Sequence, residues 1–187
     1  MTKELIRQLD NRVYKTVYLD ATTEGYPMYT KLGFVVEDDY IHLQRTLQTE
    51  EIIHFDPSFI RPFQPQDFHP LFHLDFKATG EYRKGIFSEW LKEAYVFEDN
   101  GIIEGFYLPH IGNRPIIARS RPVGRELLKY HLSRHTNVVV PSQNEAALTF
   151  LEQNHLQAFR WTKKMRLGPE RTHNLGMLFN RVSGQLG

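Results

Sequence analysis

Residues Arg119-Ser120-Arg121-Pro122-Val123-Gly124-Arg125 join an apolar run, Pro115-Ile116-Ile117-Ala118, to an amphipathic one that continues to Leu132. A strand that turns here into a helix presents free N–H groups at the positive end of the helix dipole. That arrangement binds anions such as phosphate. Gly124 lets a backbone approach closely, because no Cβ intervenes. Arg119, Arg121 and Arg125 add positive charge. The same residues also describe a plain helix start, with Ser120 as cap, Pro122 in the first turn and solvated arginines. The stretch by itself leaves both open.

Other chemistry-bearing residues are sparser. Asn144 precedes an amphipathic run and caps it or offers its amide to a ligand. His69/His73 and His131/His135 share i,i+4 spacing, but neither pair encloses a Glu in a His-Glu-x-x-His pattern, so no metal site is expected. There is no cysteine, and no Gly-x-Ser-x-Gly turn points to a serine nucleophile. Glu37, Asp38 and Asp39 read as a solvated acidic turn. Lys163, Lys164 and Arg166 read as an exposed strand face.

The elements that must position these groups follow from periodicity. Residues 2–13 predict a helix and 16–21 a strand. Residues 22–34 predict a turn and a short helix ended by Gly33, followed by two strands across the acidic turn. After a polar, Pro-containing stretch the pattern restarts. Residues 59–63 form a strand, and a helix follows with Pro70 as a candidate interruption. A second helix over 82–93 precedes a hairpin across Asp99-Asn100-Gly101. Strand, helix, strand, helix and two closing strands complete the chain. This alternation predicts an α/β (α+β) fold, with helices on the faces of a sheet. The order helix, strand, helix, strand, strand occurs at both ends of the chain, which suggests a distant internal repeat.

A net charge of +1 gives no electrostatic case for nucleic acid as a partner, and no apolar run approaches a membrane span. The start, MTKELIRQLDNR, is too polar for a secretory signal, so a soluble cytoplasmic protein is expected.

Two stretches together resemble the GNAT superfamily of N-acetyltransferases. Its mark is an Arg/Gln-x-x-Gly-x-Gly/Ala turn. Arg119 to Gly124 matches in frame, with Pro122 where the first Gly stands, and Leu127-Leu128 follows. Asn144-x-x-Ala147 resembles the Asn-x-x-Ala that opens the family's later helix. The resemblance implies a mixed, mainly antiparallel sheet and acetyl-CoA as co-substrate. Ile117 and Ala118 would offer strand backbone to it. Arg119, Ser120, Arg121, Val123, Gly124 and Arg125 would form the phosphate turn, and Asn144 would lie beside the pantetheine arm. Pro122 has no N–H to donate. Leu151 and His155-Leu156 stand where the family carries a Tyr and a Gly-Phe.

That tyrosine, which protonates the leaving thiolate, has a counterpart in the first unit. Leu19 to Phe34 resembles the end of another GNAT domain, with Tyr29 at the tyrosine position. Asp75, Gly80 and Arg83 match a stretch of the second domain of tandem-GNAT proteins. The chain thus resembles the C-terminal part of such a protein. Residues 1–48 would be an incomplete first unit, 49–58 a linker, and 59–187 a complete but degenerate second domain. The implied activity is acetyl transfer to a small-molecule or peptide amine, with Glu104 or His110 as candidate base. The competing expectation is an inactive GNAT-like module with a structural or regulatory role. An incomplete first unit leaves a sheet edge exposed, which predicts a homodimer or strand completion by another chain.

Overall fold

A computed structural model describes residues 2–8, 15–45 and 53–183, and the statements below concern these. In chain order the elements are α1 (Thr2–Gln8), β1 (Val17–Ala21), α2 (Tyr26–Lys31), β2 (Val35–Arg45), β3 (Ile60–Pro62), α3 (Phe68–Thr79) and α4 (Lys84–Phe87). Then follow β4 (Tyr95–Asp99), β5 (Ile102–Tyr107), β6 (Ile116–Ala118), α5 (Arg121–Leu132), β7 (Asn137–Pro141), α6 (Glu145–Gln153), β8 (Leu156–Leu167) and β9 (Leu178–Asn180). This is a mixed α+β fold with helices and antiparallel sheets.

The sheet that carries the β6–α5 turn has the order β3-β4-β5-β6-β9, with every pair antiparallel. Its strands β6 and β9 are buried throughout, and β4 and β5 are buried over much of their length, so they read in sequence as apolar runs. Val96, Phe106, Ile117 and Leu178 pack with Leu71 and Leu74 of α3. The alternate residues Phe97, Tyr107, Ile116 and Phe179 pack with Leu127 of α5 and Leu151 of α6. The predicted β4–β5 hairpin forms. Asn100 and Gly101 sit at φ 50° and 77°, as a two-residue turn with positive φ at both positions requires.

The second sheet has the order β1-β8-β2-β7, again antiparallel throughout. The order is unchanged when β1 and β2 are exchanged with β7 and β8. Strand β8 lies between β1 and β2, and β2 lies between β8 and β7. The helices between these strands start differently: Asn144 caps α6 itself, whereas Thr22 stands three residues before the N-cap Gly25 of α2. Thr22 Oγ1 accepts from Gly25 N at 3.2 Å, and Asn144 Oδ1 accepts from Ala147 N at 3.1 Å. They end alike, with Gly33 at φ 91° and His155 at φ 61°.

Four local expectations change. The residues after Phe34 form one eleven-residue strand, not two across a turn, with a register shift between Val36 and Asp38. The acidic run is not a solvated turn, because it faces the basic run of β8 across the ladder. Lys164 Nζ lies 2.8 Å from Glu37, Arg166 Nε 2.8 Å from the same carboxylate, and Lys163 Nζ 2.7 Å from Asp39. Opposite charges on facing positions stabilise such a pair of strands, and Lys164 is buried rather than exposed. Pro70 does not interrupt α3, since it sits in the first turn, where its missing N–H has no partner to lose. The helix expected over 82–93 shrinks to α4 and a single 3-10 turn at Leu91–Glu93. Gly85 and Ser88 give it little helical propensity, and Phe87 and Leu91 are buried individually. The end of the first predicted helix, 9–13, and most of the first half of the proposed linker, 49–52, lie outside the described residues.

Asp75, Gly80 and Arg83 form one buried unit. Arg83 donates from Nε and Nη2 to the two oxygens of Asp75, at 3.1 and 2.5 Å. Both side chains are almost fully buried. Gly80 ends α3 at φ 68°.

Candidate functional site

The β6–α5 turn is where the sequence places it. Ile117 lies in the middle of β6, opposite Phe106 of β5 on one side and Leu178 of β9 on the other. Ala118 faces Gly105. Arg119 leaves the sheet, donating its backbone N–H to Glu104 O at 2.7 Å. Its guanidinium lies 3.4 Å from the Glu104 carboxylate. Ser120 occupies the N-cap position in extended conformation, but its side chain makes no capping bond. Arg121 and Pro122 are exposed in the first turn, and Gly124 N donates to Ser120 O at 3.0 Å. The helix start therefore retains the N–H groups of Arg121 and Val123 but not one at Pro122.

A cleft of about 810 Å³ opens in front of this turn. Ser120, Pro122, Val123 and Arg125 form one wall. Asp99, Ile102 and Glu104 of the hairpin form another, and Phe59 stacks on Phe97 at 5.3 Å. Four carboxylates line it, Asp56, Asp99, Glu104 and Glu126, against two cations, Arg125 and Lys129. Lys129 is held by Glu126 at 2.6 Å. Arg125 Nε is buried and without a hydrogen-bond partner among the described residues. With Glu104 paired to Arg119 and Glu126 to Lys129, Asp56 and Asp99 are the carboxylates left facing Arg125 across the cleft.

Gly124 serves packing. A Cβ at this position would collide with the ring of Phe179 from β9. The open side of the glycine is thus filled by the chain itself. Asn144 is 2 % exposed and engaged at both ends of its amide. Its Oδ1 caps α6 at Ala147 N, and its Nδ2 donates to Leu178 O at 3.0 Å. Beyond it, Val139 N of β7 donates to Asn180 Oδ1 at 2.9 Å, and Arg181 N donates to Val139 O at 2.9 Å. Strand β9 therefore bridges β6 and β7.

The candidate acid and bases are scattered. Tyr29 is half-buried on α2 in a small separate cluster, edge-on to Phe34 at 5.8 Å. Leu151, at the corresponding place on α6, is fully buried. Glu104 lines the cleft but is paired with Arg119. His110 is exposed, 3.6 Å from Glu93. His131 is buried, with Nε2 2.9 Å from Asn137 O and Nδ1 3.2 Å from the Tyr107 hydroxyl. The carbonyl only accepts, so Nε2 carries the proton and Nδ1 accepts from the tyrosine. Burial lowers this imidazole to a pKa of about 4 and raises the Tyr107 hydroxyl to about 12. Among the described residues no group of three or more His, Cys, Asp or Glu gathers as a metal site. No helix among them is long and apolar enough to cross a membrane.

Sequence reasoning placed the turn and missed what fills it. Phe179 and Asn180 were visible only as part of a closing strand. Their role depends on pairing across some sixty residues, for which a single sequence carries no local signal. Asp56, Phe59 and Phe97 join the cleft for the same reason.

Comparison with known proteins agrees with this architecture. A candidate acetyltransferase from Pyrococcus horikoshii superposes with a TM-score of 0.76 at 21 % identity, covering 98 % of this chain and 65 % of its own. The chain thus spans about two thirds of that protein's length. A candidate GNAT-family acetyltransferase from Novosphingobium aromaticivorans gives 0.56 at 13 % identity, covering 83 % and 75 %. A GNAT-family acetyltransferase from Colwellia psychrerythraea gives 0.53 at 10 % identity, covering 82 % and 65 %. At these identities the likeness establishes the fold alone. Curated protein sequences give no match. The acetyltransferase (GNAT) domain model matches residues 71–180, more than half of the sequence, and on that match the chain belongs to the GNAT acetyltransferase family.

Proposed function

We propose that this chain is the interlocked C-terminal part of a tandem N-acetyltransferase, in which the unit from residue 59 onward is a non-catalytic buttress. The observation that supports this is the interleaving of β1-β8-β2-β7, in which each half of the sheet takes its inner strand from the other. Acetyl transfer from acetyl-CoA to an amine then belongs to the unit that α1 to β2 complete. In this reading Tyr29 protonates the departing thiolate there. In the later unit the matching position is the buried Leu151, and Pro122 removes a phosphate donor. The outer edge of β1 has no partner strand among the described residues. A strand from a second copy or another chain completes it in this reading.

The reading is tested by supplying the chain with acetyl-CoA and a panel of small amines and peptides. No product is expected from the later unit. Turnover that survives Tyr29→Phe and disappears in Glu104→Gln would overturn the assignment.

A further inference from the structure

We infer that the gap between β6 and β7 has a built-in occupant, the chain's own segment from Leu178 to Val182, and that the folded unit is closed to acetyl-CoA there. The inference deepens the buttress reading and rests on it for the identity of the gap. In the family resemblance the backbone of Ile117 and Ala118, the turn at Gly124 and the amide of Asn144 are the groups that meet the cofactor.

Ile117, the space beside Gly124 and the amide of Asn144 are already engaged by one short segment, while Ala118 pairs on its other side with Gly105. The free edge of β6 is consumed, with Ile116 opposite Asn180 and Ile117 opposite Leu178. Asn144 Nδ2 is spent on Leu178 O. The space beside Gly124 holds the Phe179 ring, which is 0 % exposed. On the far side of the gap, β7 is bonded to the same segment through Val139 N and O.

The segment is anchored at its far end as well. Asn180 Nδ2 donates to Asn113 O at 2.5 Å and to Arg114 O at 2.9 Å, while Asn113 N donates to Val182 O. Asn180 thus satisfies its acceptor on β7 and its two donors on the loop before β6. A side-chain amide satisfied on both sides of a gap fixes the distance across it. Arg181 adds an ion pair to Asp20 of β1, and its guanidinium lies 4.6 Å from the centroid of the Tyr40 ring. The strand that closes the gap is therefore tied to the interleaved sheet. This gives it a structural role of its own and accounts for the loss of an open gap without loss of the fold.

The test is a calorimetric titration of the full chain with acetyl-CoA, paired with thermal melting at about 1 mM cofactor. The expected result is no saturable heat and no change in Tm. A ligand bound a hundredfold above its Kd would raise Tm by several degrees. Ser120→Glu is the control, because Ser120 is exposed, makes no capping bond and sits at the helix start. Saturable binding that Ser120→Glu weakens tenfold or more would overturn the inference. Binding indifferent to Ser120→Glu lies elsewhere and leaves the gap closed. Binding that Ser120→Glu weakens, with no turnover, sinks this inference and leaves the buttress reading standing. Turnover lost in Glu104→Gln sinks both.

Discussion

The ring of Phe179 occupies the space that a Cβ on Gly124 would need. One contact thereby ties the start of α5 to the last strand of the sheet. The glycine that marks a cofactor turn in sequence is retained by packing against the chain's own residue. Gly124→Ala should therefore destabilise the fold by about 1–3 kcal/mol, the usual cost of overpacking. Phe179→Ala should cost about 3–5 kcal/mol through the cavity it leaves. Because the two residues touch, the double variant should be more stable than the sum of the single losses predicts. Urea unfolding of the three variants measures this, and strict additivity would count against the contact.

The Asp75–Arg83 pair yields a second prediction. Removing one partner leaves the other charged and buried, so Arg83→Ala should lower stability by about 3–5 kcal/mol. Replacing both, as Asp75→Leu with Arg83→Met, should recover much of that loss. Thermal or denaturant melts read the difference. Equal losses in the single and double variants would contradict a buried pair.

Acid sensitivity follows from two histidines. Burial lowers both His131 and His42 to about 4, helped at His42 by the nearby Arg181 and Arg160. The unfolded chain binds a proton near the ordinary histidine value of about 6.5, whereas the folded chain does not until about 4. Their contribution to stability is thus fully present above about pH 6.5 and lost as pH falls toward 4. For His131 the slope approaches about 1.4 kcal/mol per pH unit in that window. The half-buried His42 gives less, because solvent screens it. Chemical denaturation between pH 5 and 7.5 checks the sign, and a His131→Phe variant should show a shallower slope. A stability that rises on acidification would refute the assignment.

The unpaired edge of β1 predicts association. Light scattering should report a dimer or larger species at micromolar concentration that dissociates toward monomer on dilution. A clean monomer for the parent chain removes the case for strand completion by another copy.

Much of this was legible from residue order, and the reasons differ by element. Strands β4 to β7 stand out because they are buried over much of their length and bounded by turn residues. The hairpin at Asn100-Gly101 stands out because positive φ is chemically specific. The acidic run of β2 misleads because a charge cluster looks the same whether water or a facing strand neutralises it. Lys163, Lys164 and Arg166 lie more than a hundred residues away in sequence. The β6–α5 turn was legible as a strand-to-helix turn from its Ser, Pro and Gly, and as a phosphate turn only through the family resemblance of its frame relative to Asn144. Its occupant was not, since nothing near Phe179 or Asn180 in sequence names Gly124, Asn144 or Val139 as partners.

Whether β9 could yield to a ligand depends on how firmly the segment is held: Leu178, Phe179 and Val182 are buried, and Asn180 and Arg181 tie it to β7, β1 and the loop before β6. Amide hydrogen exchange at Leu178, Phe179 and Asn180 in the ligand-free chain tests this most directly. In a closed gap these amides exchange only through global unfolding, with the same opening free energy as the core of β5. Exchange at Leu178 to Asn180 several kcal/mol easier than in β5 would mean that the strand lifts out of the gap on its own, contradicting a permanently closed site.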